Sequence, residues 1–199
     1  MKTLAVDIDN VLAASAESFI VISNKLFGDH ITISDYNEDR QKMWCVDHKE
    51  AERRCEVLQA NKYQKNYLPV YGAVQAINKL GKQYRLVLVT SRPKFAEELT
   101  KNWLKQHFDY NFGTIVFAGF WDNAKNSKDG HLRHKGDLFT QVGADIVIDD
   151  QLKHCEAAVE TGIRTILFGD YAWNKANELL SGITRCIDWT EVIKELEIQ

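Results

Sequence analysis

The feature that most constrains this chain is residues 5–13, where an apolar run ends in two carboxylates one residue apart. The run at residues 4–6 is typical of a strand that is buried on both faces of a sheet. Such a strand delivers Asp7 and Asp9 to its carboxyl end, where other groups must offset their desolvation. The pair therefore indicates a site, although Asp is also common in ordinary loops.

Short β-rich runs alternate with longer helical patterns along most of the chain. This alternation predicts the α/β class, with a Rossmann-like three-layer α/β/α arrangement around a parallel sheet. The predicted strands are residues 3–7, 85–90, 114–118, 145–148 and 164–168. The predicted helices are residues 15–27, 49–59, 73–80, 96–108, 151–161 and 190–196.

Residues 14–68 break the alternation, because they contain no convincing strand and are rich in charged and aromatic side chains. An insertion of this length directly after the first strand is too long for a simple crossover. We therefore predict a small helical cap at residues 14–68. The core domain would then consist of residues 1–13 and 69–199.

Charge and hydropathy limit the kinds of partner that this chain can have. The formal net charge is −3 and neither sign forms a block, which argues against a nucleic-acid polymer or a membrane surface as partner. No apolar run approaches the ~20 residues of a transmembrane helix. Residues 1–3 lead directly into a strand without a signal-peptide core, so a cytoplasmic location is expected.

The four cysteines lack the paired short spacings of a disulfide framework or a zinc ribbon, so reduced thiols are expected. One alternative is a structural zinc held by Cys45, His48 and Cys55, with His131 and His134 as further ligands. Neither group contains the C-x-x-C pair of a zinc knuckle, which argues against this alternative.

Polar side chains also follow the ends of other predicted strands. They are Thr90, Ser91 and Arg92 after the second strand, Lys135 in the helix before the fourth, and Asp149 and Asp150 after the fourth. Each alone has an ordinary explanation, such as a helix N-cap, a turn or solvated surface. Ligands of open α/β sheets bind outside the carboxyl ends of the strands, so the set together predicts one site at that edge.

These motifs, in this order, resemble those of the haloacid-dehalogenase-like hydrolase superfamily. They are Asp-x-Asp-x-Val at residues 7–11, Thr90, Lys135 and the acids 149–150, and they span the core from residue 3 to about 170. Residues 9–13, 89–93 and 166–174 also look like the 5'(3')-deoxyribonucleotidase-like group. The resemblance implies the superfamily's fold with a cap after the first strand. It also implies a phosphatase, since dehalogenases of the superfamily usually lack the second acid present here as Asp9.

Phosphate-ester hydrolysis needs a placed nucleophile and a source of protons, and the first strand supplies a candidate for each. Asp7 would attack phosphorus and form an aspartyl-phosphate. Asp9 would protonate the leaving oxygen and then activate water. That role requires a carboxyl group with a raised pKa, a shift that Asp7 and the acids 149–150 could provide.

The same edge offers hard oxygen ligands for a cation. Asp7, Asp149 or Asp150, and the backbone carbonyl of Asp9 suit Mg²⁺, which keeps some waters and binds phosphate oxygens. The residues expected to bind the substrate's phosphoryl group or its surroundings are Thr90, Ser91, Arg92 and Lys135.

The substrate favoured by the resemblance is a (deoxy)nucleoside monophosphate, and the partner expected is a small phosphomonoester, with a homodimer left open. One alternative is a phosphatase for another small metabolite, such as phosphoglycolate or a sugar phosphate. A second is a catalytically silent phosphate-binding or regulatory protein on the same fold. A third is a response-regulator-like receiver domain, which the long insertion and the Asp-x-Asp pair disfavour.

Reading of a nucleotide base requires flat apolar surfaces. The aromatic residues of the insertion considered for this purpose are Phe19, Tyr36, Trp44, Tyr63 and Tyr67. Most of them are expected to form the cap's own core. Trp44 lies in a polar stretch between two helical patterns, so it is predicted to line the pocket and stack on the base.

Overall fold

The computed structural model describes residues 1–37, 39–60, 63–119 and 135–197. Within these residues six strands form one sheet in the order β3-β2-β1-β4-β5-β6, and every neighbouring pair is parallel. The strands are β1 (Thr3–Val6), β2 (Arg85–Thr90), β3 (Thr114–Phe117), β4 (Ile146–Asp149), β5 (Arg164–Phe168) and β6 (Ile183–Cys186).

Helices and short 3₁₀ turns connect these strands. The α-helices are α1 (Ser15–Phe27), α2 (Arg40–Trp44), α3 (His48–Ala60), α4 (Ala73–Leu80), α5 (Glu97–His107), α6 (Lys135–Gln141), α7 (Leu152–Glu160) and α8 (Trp189–Glu197). The 3₁₀ turns are Ile33–Asp35, Tyr63–Asn66, Lys94–Ala96 and Ala172–Asn174. The five predicted strands correspond to β1–β5, whereas β6 and α2 were not predicted from the sequence.

Both faces of the sheet are covered, and β1 shows why. Side chains alternate across a strand, so Leu4 and Val6 enter one hydrophobic cluster while Ala5 enters another. The first cluster includes residues of α4, α5 and α8, and the second includes residues of α6 and α7. Because both faces are dry, the strand can be continuously apolar, as the sequence predicted. The α/β/α three-layer fold class is confirmed.

The helices between β1 and α4 have a hydrophobic cluster of their own. It is centred on the buried side chains Met43, Trp44, Ala51 and Leu58, and partly buried residues of α1 pack against it. A cap inserted after the first strand is therefore confirmed as part of the fold, while the boundaries 14–68 stay a prediction. None of the helices within the described ranges is both long and apolar enough to cross a membrane.

Candidate active site

The order of the strands brings the predicted polar residues together. β1 lies between β2 and β4, so the strand order reverses direction at β1. Ligands of open α/β sheets usually bind in the crevice at such a switch point. Asp7 follows β1, and its backbone N–H still donates to the Ile148 carbonyl at 2.9 Å. Thr90 ends β2 and Asp149 ends β4. Three adjacent strands thus end at one edge with a polar side chain each.

Three of the predicted acids form a buried cluster. One carboxylate oxygen from each of Asp7, Asp149 and Asp150 lies within 4.8 Å of the other two. The Lys135 ammonium, only 2 % exposed, lies 2.8 Å from Asp7 Oδ1 and 2.7 Å from Asp149 Oδ2. When all three acids are ionised, the single ammonium leaves two negative charges in the cluster without a partner. This deficit fits a divalent cation.

Asp149 and Asp150 differ in what holds them, which separates their roles. Both oxygens of Asp149 are engaged, because Oδ2 accepts from Lys135 while Oδ1 accepts from the Gln151 backbone N–H at 2.9 Å and lies 3.1 Å from His154 Nδ1. Asp150 accepts hydrogen bonds at Oδ2 alone, so no described residue bonds its Oδ1. Asp150 therefore has a carboxylate oxygen left for a further partner, whereas both oxygens of Asp149 are already engaged.

Asp7 also has an oxygen that the protein does not satisfy. Its Oδ1 is buried and, within the described part of the chain, has the Lys135 ammonium at 2.8 Å as an ion-pair neighbour but no hydrogen-bond partner. Buried polar atoms are almost always bonded, so an orphaned carboxylate oxygen calls for another partner. Mg²⁺ prefers such oxygen ligands, so the residues present fit this cation.

The electrostatics of the cluster agree with this deficit. Burial raises the pKa of Asp7 to about 7, against the lowering effect of Lys135. Burial and the charge of Asp149 also hold the pKa of Asp150 well above its usual value. Burial alone would raise the pKa of Asp149 as well, but the charges and hydrogen bonds of Lys135 and His154 together outweigh burial and lower that pKa. Two of the three acids thus resist ionisation in the protein alone.

Asp9 lies outside this cluster and pairs with Arg92. The guanidinium donates from Nε to Asp9 Oδ2 at 2.9 Å and from Nη2 to Oδ1 at 2.8 Å, while Nη1 donates to Thr100 Oγ1 at 3.0 Å. Burial would raise the pKa of Asp9, but this two-pronged ion pair lowers it. The prediction that neighbouring acids raise the pKa of Asp9 is wrong, because the nearest charge is a cation.

The hydroxyl residues after β2 are placed as predicted at the same edge. Thr90 is fully buried at the end of the strand, and its Oγ1 accepts from the Arg92 backbone N–H at 3.2 Å. Ser91 is half-buried next to it. Arg92, predicted to bind substrate, has its guanidinium on Asp9 and Thr100 instead. Its role toward substrate would first require release from Asp9.

Asn10 is a residue of the site that the sequence did not reveal. Its Nδ2 donates to Asp150 Oδ2 at 3.1 Å, and its Oδ1 accepts from the Ala16 backbone N–H at 2.8 Å and from Ser15 Oγ at 3.0 Å. Its φ is +59°, a left-handed conformation that Asn tolerates better than most residues. The side chain therefore ties the start of α1 to the acid cluster. The available signal was an Asn directly after the acid pair.

Trp44 does not line the site, and the prediction that it stacks on a base is wrong. Its side chain is buried in the cap's own hydrophobic cluster, with the rings of Phe19 and Phe27 at 5.8 and 6.0 Å between centroids. The indole N–H donates to Ser23 Oγ at 2.8 Å. The short helix α2 was not predicted, because the sequence around Trp44 is polar. This helix directs the Trp44 side chain toward the hydrophobic cluster of the cap.

The zinc alternative finds no support in the part of the chain that the structure describes. The acids of the active site are the group found there that could hold a metal, and Cys45, His48 and Cys55 form no such group. His48 Nε2 lies 3.3 Å from Glu52 instead. All four cysteines are free. His131 and His134 lie outside the described residues.

Comparison with solved structures places this fold among haloacid-dehalogenase-like hydrolases. A haloacid dehalogenase-like hydrolase from Streptococcus pneumoniae is 15% identical, with a TM-score of 0.65 and 98% of each chain covered. A family member from Deinococcus radiodurans, with bound phosphate and sodium, is 15% identical, with a TM-score of 0.68 over 100% of this chain and 96% of that one. A protein from Haemophilus somnus, described as a predicted phosphoglycolate phosphatase, is 14% identical, with a TM-score of 0.66 and 98% of each chain covered.

The sequence itself gives a narrower result. No curated protein matches the chain. The model of the family described as 5' nucleotidase, deoxy (pyrimidine), cytosolic type C protein matches residues 1–123, which include the acid pair, the cap and the end of β2. The chain therefore belongs to this 5' nucleotidase family of haloacid-dehalogenase-like hydrolases, and it is a phosphoric monoester hydrolase.

Proposed function

We propose that this enzyme is a Mg²⁺-dependent 5'-nucleotidase that hydrolyses (deoxy)nucleoside monophosphates through an aspartyl-phosphate on Asp7. The observation that carries the proposal is the buried cluster of Asp7, Asp149 and Asp150 around a single ammonium. A cluster with this charge deficit at the switch point of a parallel sheet supports a site for a divalent cation and a phosphate ester.

The residues that would hold Mg²⁺ are Asp7 and Asp150, with the backbone carbonyl of Asp9 as a third ligand and Asp149 as a supporting acid. When bound, the cation would neutralise charge on the phosphoryl oxygens and orient the ester. Two oxygens support this assignment, because neither accepts a hydrogen bond from a described residue: the buried Oδ1 of Asp7, and Oδ1 of Asp150, whose Oδ2 takes the hydrogen bonds.

Asp7 would act as the nucleophile, and its surroundings support that role. Its carboxylate attacks phosphorus, the bond from phosphorus to the ester oxygen breaks, and an acyl-phosphate remains on Asp7 until water attacks it. Lys135 contacts the same carboxylate and keeps it oriented, and its ammonium can also meet a phosphoryl oxygen. Thr90, at the end of β2, would donate a hydrogen bond from its hydroxyl group to a phosphoryl oxygen.

Asp9 would supply the proton to the leaving oxygen and later take one from water. Its ion pair with Arg92 opposes proton uptake, since the guanidinium stabilises the carboxylate. The proposal therefore includes a step in which Arg92 releases Asp9. The phosphoryl dianion would compete with Asp9 for the Arg92 guanidinium. Arg92 therefore remains a proposed substrate-binding residue, as does Ser91.

The nucleotide assignment rests on the family match and on the aromatic surface of the cap that reaches the site. Tyr36 is half-buried and its ring lies 5.0 Å from that of Trp173, which bonds Asp150. The phenols of Tyr36 and Tyr67 also lie within the electrostatic reach of Asp9, which adds to the effect of burial in raising their pKa values. Tyr36 thus takes the role that the sequence assigned to Trp44.

A substrate panel with Mg²⁺ tests the proposal. It includes deoxyribonucleotides, ribonucleotides, phosphoglycolate and sugar phosphates, each assayed for released phosphate with and without a chelator. We expect the highest kcat/KM for a nucleoside monophosphate. Turnover of phosphoglycolate or a sugar phosphate without nucleotide hydrolysis would retire the nucleotidase assignment and keep the phosphatase. Inactivity toward all of them, together with Mg²⁺ binding, would favour the silent binding protein.

Two further assignments from the sequence belong to this proposal. A cytoplasmic location accords with the absence of a membrane-spanning helix in the described ranges, and fractionation of cells that produce the protein tests it. A homodimer stays open, and light scattering coupled to size-exclusion chromatography measures it.

A further inference from the structure

Residues 169–174, which follow β5, carry two aromatic side chains that the proposed reaction leaves without a role. One of them, Trp173, donates its indole N–H to Asp150 Oδ2 at 2.7 Å. We propose that Trp173 is a positioning residue for the metal site, which orients Asp150 so that Oδ1 stays available to a divalent cation. The inference rests on the proposed metal dependence and adds a residue to it.

The hydrogen bonds on Asp150 are one-sided, and this asymmetry carries the argument. Oδ2 accepts from Trp173 at 2.7 Å, from Asn10 Nδ2 at 3.1 Å and from Gln151 Nε2 at 3.4 Å, so its lone pairs are fully used. Oδ1 receives no bond from a described residue. The shortest of the three bonds comes from Trp173, the donor whose side chain is rigid and planar.

Trp173 is itself held in place by stacking. Its ring lies 4.4 Å from that of Tyr171 with an angle of 8° between the planes, and 5.0 Å from the ring of Tyr36 in the cap. Gly169 permits this arrangement, because it has a φ of +80° and a Cβ there would lie 2.2 Å from the Tyr171 ring. The Tyr171 hydroxyl donates to the Asn10 carbonyl at 3.0 Å, which anchors the stack to the acid loop.

The backbone beneath the stack is also tied to Asp150. Asn174 is fully buried, and its Nδ2 donates to the carbonyls of Asp150 and Phe168, each at 3.0 Å. Arg185 Nη1 donates to the Gly169 carbonyl at 2.6 Å, and its Nη2 donates to the Asn174 carbonyl at 2.7 Å. The donor and the acceptor of the Trp173–Asp150 bond are thus fixed to one framework, as preorganisation of a ligand requires.

Partners that orient a metal ligand typically contribute 10–100-fold to metal affinity. The Trp173→Phe variant keeps a ring in the stack and removes only the N–H. Trp103→Phe is a matched control, because the Trp103 indole N–H donates at 2.7 Å to the backbone carbonyl of Tyr67 and not to an acid of the cluster. Both variants therefore lose one indole hydrogen bond, and only one loses it at a proposed metal ligand.

The measurement is the Mg²⁺ dissociation constant of the full chain, obtained by calorimetry or from the metal-induced rise in Tm, without substrate. We expect Trp173→Phe to weaken Mg²⁺ binding by roughly 10–100-fold and Trp103→Phe to leave it within about twofold. Equal affinities of wild type and Trp173→Phe would overturn the inference, as would equal losses in both variants. Absence of Mg²⁺ binding by the wild type would overturn the proposed metal dependence and this inference with it.

A measurement on the wild-type protein keeps the inference testable if Trp173→Phe fails to fold. The indole ¹⁵N–¹H resonance of Trp173 is followed during addition of Mg²⁺, with that of Trp103 as internal reference. We expect the Trp173 resonance to shift in step with binding while the Trp103 resonance stays in place. An unmoved Trp173 resonance at saturating Mg²⁺ would overturn the inference.

Discussion

Asp7 and Asp9 are neighbours in sequence, yet their surroundings move their pKa values in opposite directions. Burial raises the pKa of Asp7, whereas Arg92 overcomes burial and lowers the pKa of Asp9. Divergent environments for two nearby carboxyl groups are typical of sites in which each has a different role. The proposed roles differ in this way, since one acid bonds to phosphorus and the other transfers protons.

Replacement of Asp7 by Asn tests the nucleophile. The amide has nearly the same shape but cannot form the acyl-phosphate, so we expect kcat to fall by about 10⁴-fold or more. The fold should remain intact, as judged by circular dichroism. Asp145→Asn is the control, because Asp145 lies at the opposite end of the sheet, where its Oδ2 accepts from the Thr3 N–H at 2.7 Å. Turnover at the wild-type rate by Asp7→Asn would contradict the mechanism.

Asp9→Asn should show a different pattern, because it removes the proton donor and leaves the nucleophile. Esters with good leaving groups, such as a nitrophenyl phosphate, need little protonation, so their phosphorylation step should suffer less than that of a nucleotide. Single-turnover kinetics on both substrates measures this step. The same loss for both leaving groups, with phosphorylation shown to limit the rate, would argue against the acid role of Asp9.

At the scale of elements, the predictions from the sequence differ from the structure most in the cap. Trp44 is an amphipathic side chain in a polar stretch, and without the packing of α1 nothing in the local pattern shows that α2 turns it inward. Tyr36 comes from the adjoining segment and contacts Trp173 in the core. The two aromatic residues thus lie in different surroundings, Trp44 in the cap's own hydrophobic cluster and Tyr36 against Trp173 next to Asp150.

This difference predicts two separable phenotypes. Tyr36→Leu should raise KM for the best nucleotide, because it removes a stacking contact worth ~1–3 kcal/mol of binding free energy. Hydrolysis of a small aryl phosphate should stay nearly unchanged. Trp44→Phe should leave Ser23, which is fully buried, without its partner and cost about 1–3 kcal/mol of stability. Steady-state kinetics and thermal unfolding measure both variants. A selective rise in nucleotide KM in Trp44→Phe, and not in Tyr36→Leu, would reverse the assignment.

The core elements could be predicted far better than the cap. β2, β5, α1 and α4 begin and end at the predicted residues, because long apolar runs and helical periodicity dominate their sequences. β6 was missed since it is a four-residue edge strand in which apolar and polar residues mix. The contacts of Asn10 and Trp173 with Asp150 join residues 140 and 23 positions apart, and no local pattern reports such contacts.

At the scale of the whole molecule, the sheet order explains why residues from positions 7, 90 and 149 meet. A central β1 with β2 on one side and β4 on the other gathers three strand ends, and α6 brings Lys135 beneath them. This convergence buries three acids around one ammonium, and the excess of acids opposes folding unless a further cation joins Lys135 there. Metal binding and global stability should therefore be linked.

Mg²⁺ should raise the thermal stability of the enzyme as well as its activity, and a chelator should reverse both effects. A cation that binds only the native state at 100 times its Kd adds about 2.7 kcal/mol, which corresponds to a rise in Tm of roughly 5–10 °C for a chain of this size. Scanning calorimetry with and without Mg²⁺ measures the rise. Asp150→Asn should abolish it, because the amide removes the charge of a proposed ligand, while Asp145→Asn should retain it. Full activity after exhaustive chelation, or an identical rise in Asp150→Asn, would contradict the assignment of the acid cluster as the metal site.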